Sequence, residues 1–520
     1  MHSYRWFHPL FLYICKEYFF MPATSLLYQQ YKTALQKIAD VKYATAVLQW
    51  DQETYLPPKG NDSRGRQIAT LSEIAHQQFT DEKLGALLQE LNGRNDLDDR
   101  EKRNVQLSLE DHLKYKKLPN GFVRQMSEAV NKSFHAWISA RRENSFSPFH
   151  HPLDELIQLK RQEAELLGYE QHPYDALMND HDKGLTVAIV DKLFADLKPQ
   201  LSVLLERIMH LPQVDDSFLH RHFDKDQQWK FGVEILNRMQ FDWQAGRQDI
   251  SEHPFTINFS NSDVRITTRI DKNDFGNMTW SCLHEGGHAL YEQGLPGNEY
   301  GLPLGEFCSI SIHESQSRLW ENQAGRGLPF WQHNYPLAQQ YFPDQFSDIS
   351  LQQFYRGINK VHHSLIRTEA DELTYHFHIM IRYEIEKLLI SGSLLTSDIP
   401  AYWNEQYAAY LGLTVPDDLR GCLQDVHWSH GSFGYFATYS MGSLYAAQFF
   451  ATFQRENVSM EKALSDGDNS LLLNWLKQQI YPYGRYYTSE ELCKKTTGEF
   501  LNSAYFIEHA RKKFNDIYDI

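Results

Sequence analysis

Apolar side chains recur every three or four residues along most of this chain, and this helical period is the feature that most constrains its fold. One helix face contains Leu27, Tyr31, Ala34, Leu35 and Ile38. A second such face extends from Leu373 to Leu388 and ends before Gly392. Further helices are predicted for 64–93, 98–117, 121–145, 152–168 and 189–211. The sequence therefore predicts a mostly α-helical protein.

Residues 254–270 depart from this pattern. Their sequence, PFTINFSNSDVRITTRI, alternates along its length, contains many β-branched side chains and has Asn-Ser-Asp in the middle. These features predict a β-hairpin inside the helical protein.

Composition limits the domain count and the possible partners. The 520 residues are 42% hydrophobic and 14% aromatic, which is enough for a large core. Because we find no internal repeat or flexible linker, we predict one domain over 21–520. The net charge of −16 would repel a nucleic acid at long range, so nucleic-acid binding is not expected.

The first twenty residues are interpreted as an N-terminal extension. Their apolar run is interrupted by His8, Pro9, Lys16 and Glu17, and it is too short to span a bilayer. A cleaner helical pattern starts at Met21, so we expect that 1–20 arise from a mis-assigned start codon or are disordered. We also expect no membrane-spanning segment elsewhere. The five cysteines form no CxxC pair, which favours a reducing, cytoplasmic location.

The sequence His284-Glu285-Gly286-Gly287-His288 indicates a metal site. A helix is predicted from about Thr279 to Gly294, so the two histidines are one turn apart on one face and can reach a single ion. Glu285 can then act as general base on a water whose pKa the metal lowers. The alternative is a core helix whose histidines are satisfied by hydrogen bonds.

The two glycines favour the metal site over this alternative. Each costs about 1 kcal/mol relative to alanine inside a helix. This cost is understandable if another backbone, or a second helix with a further ligand, must approach closely at Gly286 and Gly287.

A third ligand is predicted on a second helix at 309–323, which ends before Gly325. Glu314 on this helix would complete a His₂Glu set, which is typical of hydrolytic zinc sites. The neighbouring His313 could compete for the metal, but adjacent helix positions diverge by about 100 degrees, so Glu314 is favoured. Arg318, one turn later, is expected to orient Glu314 or to pair with Glu321.

At these residues the chain resembles the carboxypeptidase Taq family of zinc metallocarboxypeptidases, from about residue 21 to the end. The resemblance is carried by spaced blocks in the family's order: His253-Pro254-Phe255, Asp263-Val264-Arg265-Ile266-Thr267, His284–His288, His313-Glu314-Ser315-Gln316, Ile366–Asp371 and Gly421–Trp428.

The resemblance implies a helical fold with a deep active-site groove between two helical halves, a small β-sheet near the metal, and a homodimer. It implies one zinc ion per subunit on His284, His288 and Glu314, replaceable by cobalt, with Glu285 as catalytic acid and base. The implied activity is stepwise release of single C-terminal residues from peptides, with broad preference except against proline.

Several further residues are candidates for contacts with the peptide substrate. The hairpin that carries His253 can offer an edge strand to an extended peptide, although it could also be purely structural. Arginine suits the free C-terminal carboxylate, and Arg367 and Arg265 are the candidates. For Arg367 the alternative is a structural ion pair with Glu369 or Asp371.

The segment QDVHWSHGSFGYFATY supplies candidates for stabilising the charge on the substrate's carbonyl oxygen. Tyr435 and His427 are favoured as catalytic donors, and His430 and Tyr439 as substrate-binding residues, whereas the alternative for the aromatic residues is the core. Asp425 is expected to accept a hydrogen bond from a histidine ring, or alternatively to be a helix cap or a surface acid.

Two other functions remain open from the sequence. An endopeptidase or dipeptide-releasing peptidase would use the same metal chemistry. A non-catalytic helical binding protein would be expected to have lost a ligand or the general base, but His284, Glu285, His288 and Glu314 are all intact.

Overall fold

The structure is a computed structural model that describes residues 23–520, so the predicted extension 1–20 lies outside the described residues. Within this range, nine α-helices precede the sheet: α1 Ala23–Thr54, α2 Asn61–Phe79, α3 Glu82–Asn92, α4 Asp99–Lys116, α5 Asn120–Glu143, α6 Ser147–Leu167, α7 Pro173–His181, α8 Val187–Met209 and α9 Lys225–Arg238. The predicted all-helical first half is confirmed.

After the sheet, the described chain continues with twelve α-helices: α10 Phe275–Gly294, α11 Ile310–Arg318, α12 Leu328–Tyr341, α13 Pro343–Phe346, α14 Leu351–Gly357, α15 Tyr375–Ser391, α16 Ile399–Leu411, α17 Phe436–Glu456, α18 Met460–Ser465, α19 Ser470–Gln479, α20 Ser489–Thr497 and α21 Ala504–Tyr518.

Local signals explain where several helices begin and end. The segment 64–93, predicted as one helix, is two helices, because Asp81 accepts a hydrogen bond from the Lys83 N–H and starts α3. α4 begins with a capping box between Asp98 and Glu101. α15 ends at Gly392, as predicted, and this glycine adopts a φ of 82°.

The predicted hairpin is confirmed as β2 (Thr256–Ser260) and β3 (Asp263–Thr268), which pair antiparallel. A third strand, β1 (Gly246–Ile250), was not predicted; it pairs parallel with β3 and gives the order β1-β3-β2. The sequence of β1, GRQDI, is short and mostly polar, so it lacks the alternation that indicates a strand.

The sheet lies between α10 and α1. Val264 and Ile266 are fully buried on the face toward α10. On the opposite face the guanidinium of Arg265 lies 4.4 Å from the ring centroid of Trp50 in α1. The sheet thus connects the N-terminal helices to the helix that carries the two predicted histidine ligands.

A cavity of about 1020 Å³ separates the N-terminal helices from the rest of the molecule. Its walls come from α1, α4, α7, β2 and the segment 306–310 that leads into α11. α1 to α4 have their own apolar cluster, distinct from the main core that surrounds α10. The cavity lies between two helical parts, as expected for the groove, although His284, His288 and Glu314 do not line it. The single-domain assignment stays a prediction.

Among residues 23–520, no helix is both long enough and apolar enough to cross a bilayer.

Candidate metal centre

The helices α10 and α11 bring His284, His288 and Glu314 together. The Glu314 Oε2 atom lies 3.6 Å from His284 Nε2 and 3.5 Å from His288 Nε2. Ligands of a tetrahedral zinc ion, at bond lengths of about 2.0–2.2 Å, are separated by about 3.4 Å. The three donors therefore fit one small divalent cation.

Gly287 explains why the two helices can approach so closely. A Cβ atom at this position would lie 2.6 Å from the carbonyl oxygen of Gln316 and 2.8 Å from the Cα of Ser317, both in the backbone of α11. The close approach of another backbone, expected from the sequence, is confirmed at Gly287. Gly286 instead faces side chains of α9, where a Cβ would meet Leu236 at 2.8 Å.

The second ring nitrogen of His284 has a carboxylate partner. His284 Nδ1 lies 2.8 Å from Glu321 Oε2, so Nδ1 donates and Nε2 keeps its lone pair for a metal. Glu321 lies in a π-helical turn, Leu319–Ala324, that replaces the last part of the predicted 309–323 helix. Such turns are frequent at functional sites because they reposition side chains.

His288 has a longer chain of partners. Its Nδ1 lies 2.6 Å from Nδ1 of His313, whose Nε2 lies 2.9 Å from Glu292 Oε1. Asn258 donates to the other Glu292 oxygen at 2.7 Å. Because a carboxylate only accepts, His313 donates from Nε2 and accepts from His288, which leaves His288 Nε2 free. His313 is thus a partner of a candidate ligand and lies outside the ligand set.

Glu314 is held in its ionised form. Arg318 Nε donates to Glu314 Oε1 at 2.7 Å and Arg318 Nη1 donates to Glu321 at 3.3 Å, as the sequence suggested. Burial alone would raise the pKa of Glu314, but Arg318, His284 and His288 outweigh it and hold this pKa well below its usual range.

Glu285 is positioned by the hairpin. Thr256 Oγ1 at the start of β2 donates to Glu285 Oε2 at 2.6 Å. Burial raises the pKa of Glu285 above its ordinary value, against the opposing influence of His284 and Thr256. A raised pKa suits a carboxylate that accepts a proton near neutral pH.

A model of the carboxypeptidase Taq (M32) metallopeptidase family matches residues 30–514. The chain belongs to this family. A thermostable carboxypeptidase 1 from Thermus thermophilus is 37% identical over 488 residues, which cover 91% of this chain and 95% of that protein.

Two solved structures are also similar. The M32 carboxypeptidase from Deinococcus radiodurans R1 has a TM-score of 0.93 at 36% identity, with 95% of this chain and 100% of that one covered. The structure of CHT has a TM-score of 0.93 at 56% identity, with 94% and 99% covered. This protein is a metallocarboxypeptidase, a peptide hydrolase that works with a metal ion, so neither alternative function is favoured.

In this M32 carboxypeptidase, α17 packs against the metal centre at Gly442, and Tyr439 and Tyr435 lie one and two turns before this glycine, with Tyr435 immediately preceding the helix. A Cβ at Gly442 would lie 2.5 Å from Glu314 Cγ, so the helix presses on that side chain. Tyr439 Oη lies 3.1 Å from His427 Nε2. Burial lowers the pKa of His427 to about 3, so its ring is neutral at physiological pH.

Arg367 lies beside this tyrosine pair. Arg367 Nε donates to Asp425 Oδ1 at 2.9 Å and Nη1 contacts the Tyr375 hydroxyl at 3.3 Å. Asp425 also accepts from Arg382 Nε at 2.6 Å, whereas His427 Nδ1 is 4.0 Å from its carboxylate. The predicted hydrogen bond from a histidine ring to Asp425 is therefore wrong. The alternative for Arg367, an ion pair with Glu369 or Asp371, is also wrong, because Arg367 pairs with Asp425, 58 residues away.

Three candidate substrate residues lie apart from these clusters. Arg265 forms a two-bond pair with Asp263 on the sheet face that points away from α10. His430 is exposed and packs on Phe134 with ring centroids 4.8 Å apart. His253 is exposed at the approach to β2, three residues before Thr256. The binding roles of all three stay predictions.

Three features of the carboxypeptidase's polar network were not predicted from the sequence: the positions of Glu292 and Thr256, and the contact of Glu321 with His284. Glu292 follows His288 by four residues, so its position on the ligand face of α10 could have been recognised from helical spacing. Glu321 could not, because its orientation depends on the π-helical turn.

Proposed function

We propose that this metallocarboxypeptidase holds one zinc ion on His284, His288 and Glu314 and releases single C-terminal residues from peptides, with broad preference except against proline. The observation that carries the proposal is the 3.5–3.6 Å spacing of the three donors, with both imidazoles oriented by acidic networks. Cobalt suits the same nitrogen and oxygen donors and would substitute.

When bound, the metal supplies Lewis acidity and lowers the pKa of water. Glu285 takes the proton of the attacking water and passes it to the leaving amine. The hydrogen bond from Thr256 fixes the Glu285 carboxylate for both proton transfers, and the raised pKa of Glu285 assists the first transfer, from water.

Tyr435 and His427 are proposed to donate to the carbonyl oxygen as its negative charge develops. Burial raises the pKa of the Tyr435 phenol, so the hydroxyl keeps its proton. Tyr435 immediately precedes α17 and lies one turn before Tyr439 and two turns before Gly442, the point at which α17 packs on Glu314. This packing supports a role beside the metal centre.

For the peptide's free carboxylate, Arg367 is favoured over Arg265. Arg367 is joined through Tyr375 to Arg318, whose guanidinium lies 4.2 Å from the Tyr375 ring centroid and holds Glu314. Arg265 lies on the far face of the sheet. The edge strand β2, together with His253, Tyr439 and His430, is proposed to guide the rest of the peptide.

The proposal is tested by mass spectrometry of peptides digested with and without a chelator. A ladder that shortens by one residue from the C-terminus is expected, with loss of cleavage in chelator and recovery on addition of zinc or cobalt. An amidated peptide is the matched control, since it lacks the carboxylate. Equal cleavage of the amidated peptide would instead establish an endopeptidase, and release of residue pairs would establish a dipeptide-releasing peptidase.

The arginine assignment has its own test. Arg367→Lys is expected to reduce the preference for a free over an amidated C-terminus, because lysine cannot form the two-bond pair. Arg265→Lys is expected to leave this preference unchanged. The reverse result would assign the carboxylate to Arg265.

By its family resemblance, the enzyme is also proposed to be a cytoplasmic homodimer. Light scattering of the purified protein tests the dimer, which a monomeric mass would exclude.

A further inference from the structure

Glu386 is a fully buried carboxylate on α15 that accepts hydrogen bonds from three neutral donors. Its Oε2 accepts from the Gly434 N–H at 2.8 Å and from the Tyr174 hydroxyl, and its Oε1 accepts from Trp428 Nε1 at 2.8 Å. Burial raises its pKa to about 7, and these hydrogen bonds oppose the shift. Burying such a group is costly, so a carboxylate at this position needs an explanation beyond packing.

Two of the donors lie in one segment, 427–435, which carries His427 and Tyr435 at its two ends. Gly434 has a φ of 88°, and a Cβ there would lie 2.7 Å from the carbonyl oxygen of Leu177 in α7. The backbone of the segment is therefore pressed directly on α7.

α7 contributes two more contacts to the same segment. His181 Nε2 lies 3.2 Å from the Phe433 carbonyl oxygen, and its ring centroid lies 5.1 Å from that of Tyr435. Tyr174, which donates to Glu386, belongs to the same helix. Glu386 therefore joins α7, α15 and the 427–435 segment at one point.

We propose that Glu386 is a positioning residue: it fixes the 427–435 segment so that the Tyr435 hydroxyl is directed to the substrate's carbonyl oxygen at the metal centre. The inference rests on the proposed role of Tyr435. It adds a residue outside the metal ligands and the substrate contacts, acting through the backbone of Gly434 and the ring of Trp428.

Glu386→Gln tests this role with almost no change in shape. In one orientation the new NH₂ group faces the Trp428 N–H; in the other it faces the Gly434 N–H. Neither of these donors can become an acceptor, so one hydrogen bond is lost in either case. A displacement of about 1 Å at a catalytic group can cost about a hundredfold in rate, so kcat is expected to fall by about tenfold to a hundredfold, with KM and metal content nearly unchanged.

Trp428→Phe provides a rescue that a general loss of stability would not give. It removes the donor opposite Oε1, so the glutamine can turn its NH₂ group toward the phenylalanine and accept from Gly434 with its oxygen. The double variant Glu386→Gln/Trp428→Phe is expected to have a higher kcat than Glu386→Gln alone. Glu384→Gln is the matched control on the same helix, where the side chain pairs with Lys387 near the surface, and it should keep the parental kcat.

Combination with Tyr435→Phe separates the two proposals. If Glu386 acts through Tyr435, Glu386→Gln adds little to the loss that Tyr435→Phe causes. A normal kcat in Tyr435→Phe refutes the proposed role of Tyr435 and this inference with it. A reduced kcat in Tyr435→Phe with a normal kcat in Glu386→Gln refutes only the positioning role, as do fully multiplicative losses or the absence of rescue.

Discussion

The metal centre and the 427–435 segment are neighbours that are built in different ways. The candidate ligands lie on two helices close in sequence, and the longest-range hydrogen bond made directly by one of them, His284 to Glu321, spans 37 residues. The 427–435 segment is held by Glu386, 48 residues before Gly434, and Glu386 in turn contacts Tyr174, 212 residues before it. The arrangement of the metal centre therefore follows largely from local helix geometry, whereas the position of the 427–435 segment depends on distant contacts.

The two regions also differ in how their charges are balanced. At the metal centre Glu314 and Glu321 pair with Arg318, and Glu321 also lies 3.6 Å from Arg326. Within the described residues the buried acids Glu285 and Glu292 pair with no arginine or lysine, so negative charge remains for a metal. Beside the 427–435 segment the single acid Asp425 pairs with two buried arginines. One region is electrostatically complete only with a bound cation, whereas the other has a surplus of positive charge suited to an anionic group.

Glu285→Gln should have the largest effect on activity. The amide cannot take a proton, so kcat is expected to fall by about 10²–10⁴-fold. The three ligands are unchanged, and metal content measured by atomic absorption should equal that of the parent. Normal turnover in this variant would remove Glu285 from the mechanism, and lost metal would show that the residue belongs to the ligand set.

Asp425→Asn should have the largest effect on stability. It leaves Arg367 and Arg382 without their shared carboxylate, and Arg382 is fully buried. Removing one partner of a buried ion pair lowers the free energy of unfolding by about 3–5 kcal/mol, and a lower midpoint of urea unfolding would report this loss. Asp417→Asn is the control, because its pair with Arg420 is partly exposed, and a much smaller change is expected. Equal stability of both variants would contradict the contrast drawn between the two regions.

The pH dependence of the free energy of unfolding should reveal the titration of Glu386. Since burial raises its pKa from 4.5 to about 7, the folded protein keeps a proton that the unfolded chain releases between these values. The stabilisation is fully present below about pH 4.5 and is lost as pH rises through about 7, by about 3 kcal/mol. Glu386→Gln does not titrate, so its deficit in unfolding free energy relative to the parent should be larger at pH 5 than at pH 8. A deficit independent of pH would contradict this assignment.

The same contrast explains how much the sequence could predict. Helical period and the spacing of His284, His288 and Glu314 identify the fold class and the donors, because both depend on contacts within a turn or between consecutive helices. Arg367 pairs with Asp425, and Glu386 with Trp428 and Gly434, across long stretches of the chain. Both sets of contacts depend on how distant helices pack. A single sequence carries no periodic signal for such contacts. β1 was missed for a related reason, since its strand character comes from pairing with β3.

Gly287→Ala tests whether the approach of α11 sets the metal site. The added methyl group would meet the α11 backbone, which cannot move without Glu314, so a loss of about 1–3 kcal/mol in stability and weaker metal binding are expected. Gly286→Ala is the comparison on the same helix, where the contacts are the movable side chains of Leu236 and Met239. Its effect on metal binding should be smaller. The opposite order would place the critical contact at α9.

The smallest effects are expected for Glu321 and Glu292, which hydrogen-bond to His284 and, through His313, to His288. Loss of a hydrogen-bond partner of a ligand typically weakens metal binding by about 10–100-fold, which chelator competition can measure. Glu321→Gln should lie toward the upper end, because Glu321 contacts both His284 and Arg318. Glu292→Gln should weaken metal binding less, because Glu292 acts on His288 only through His313. In this variant the His313 Nε2–H can still donate to the amide oxygen of the glutamine, so His313 Nδ1 can still accept from His288. If Glu292→Gln proves the more damaging, the relay through His313 contributes more to holding the metal than the direct carboxylate contact.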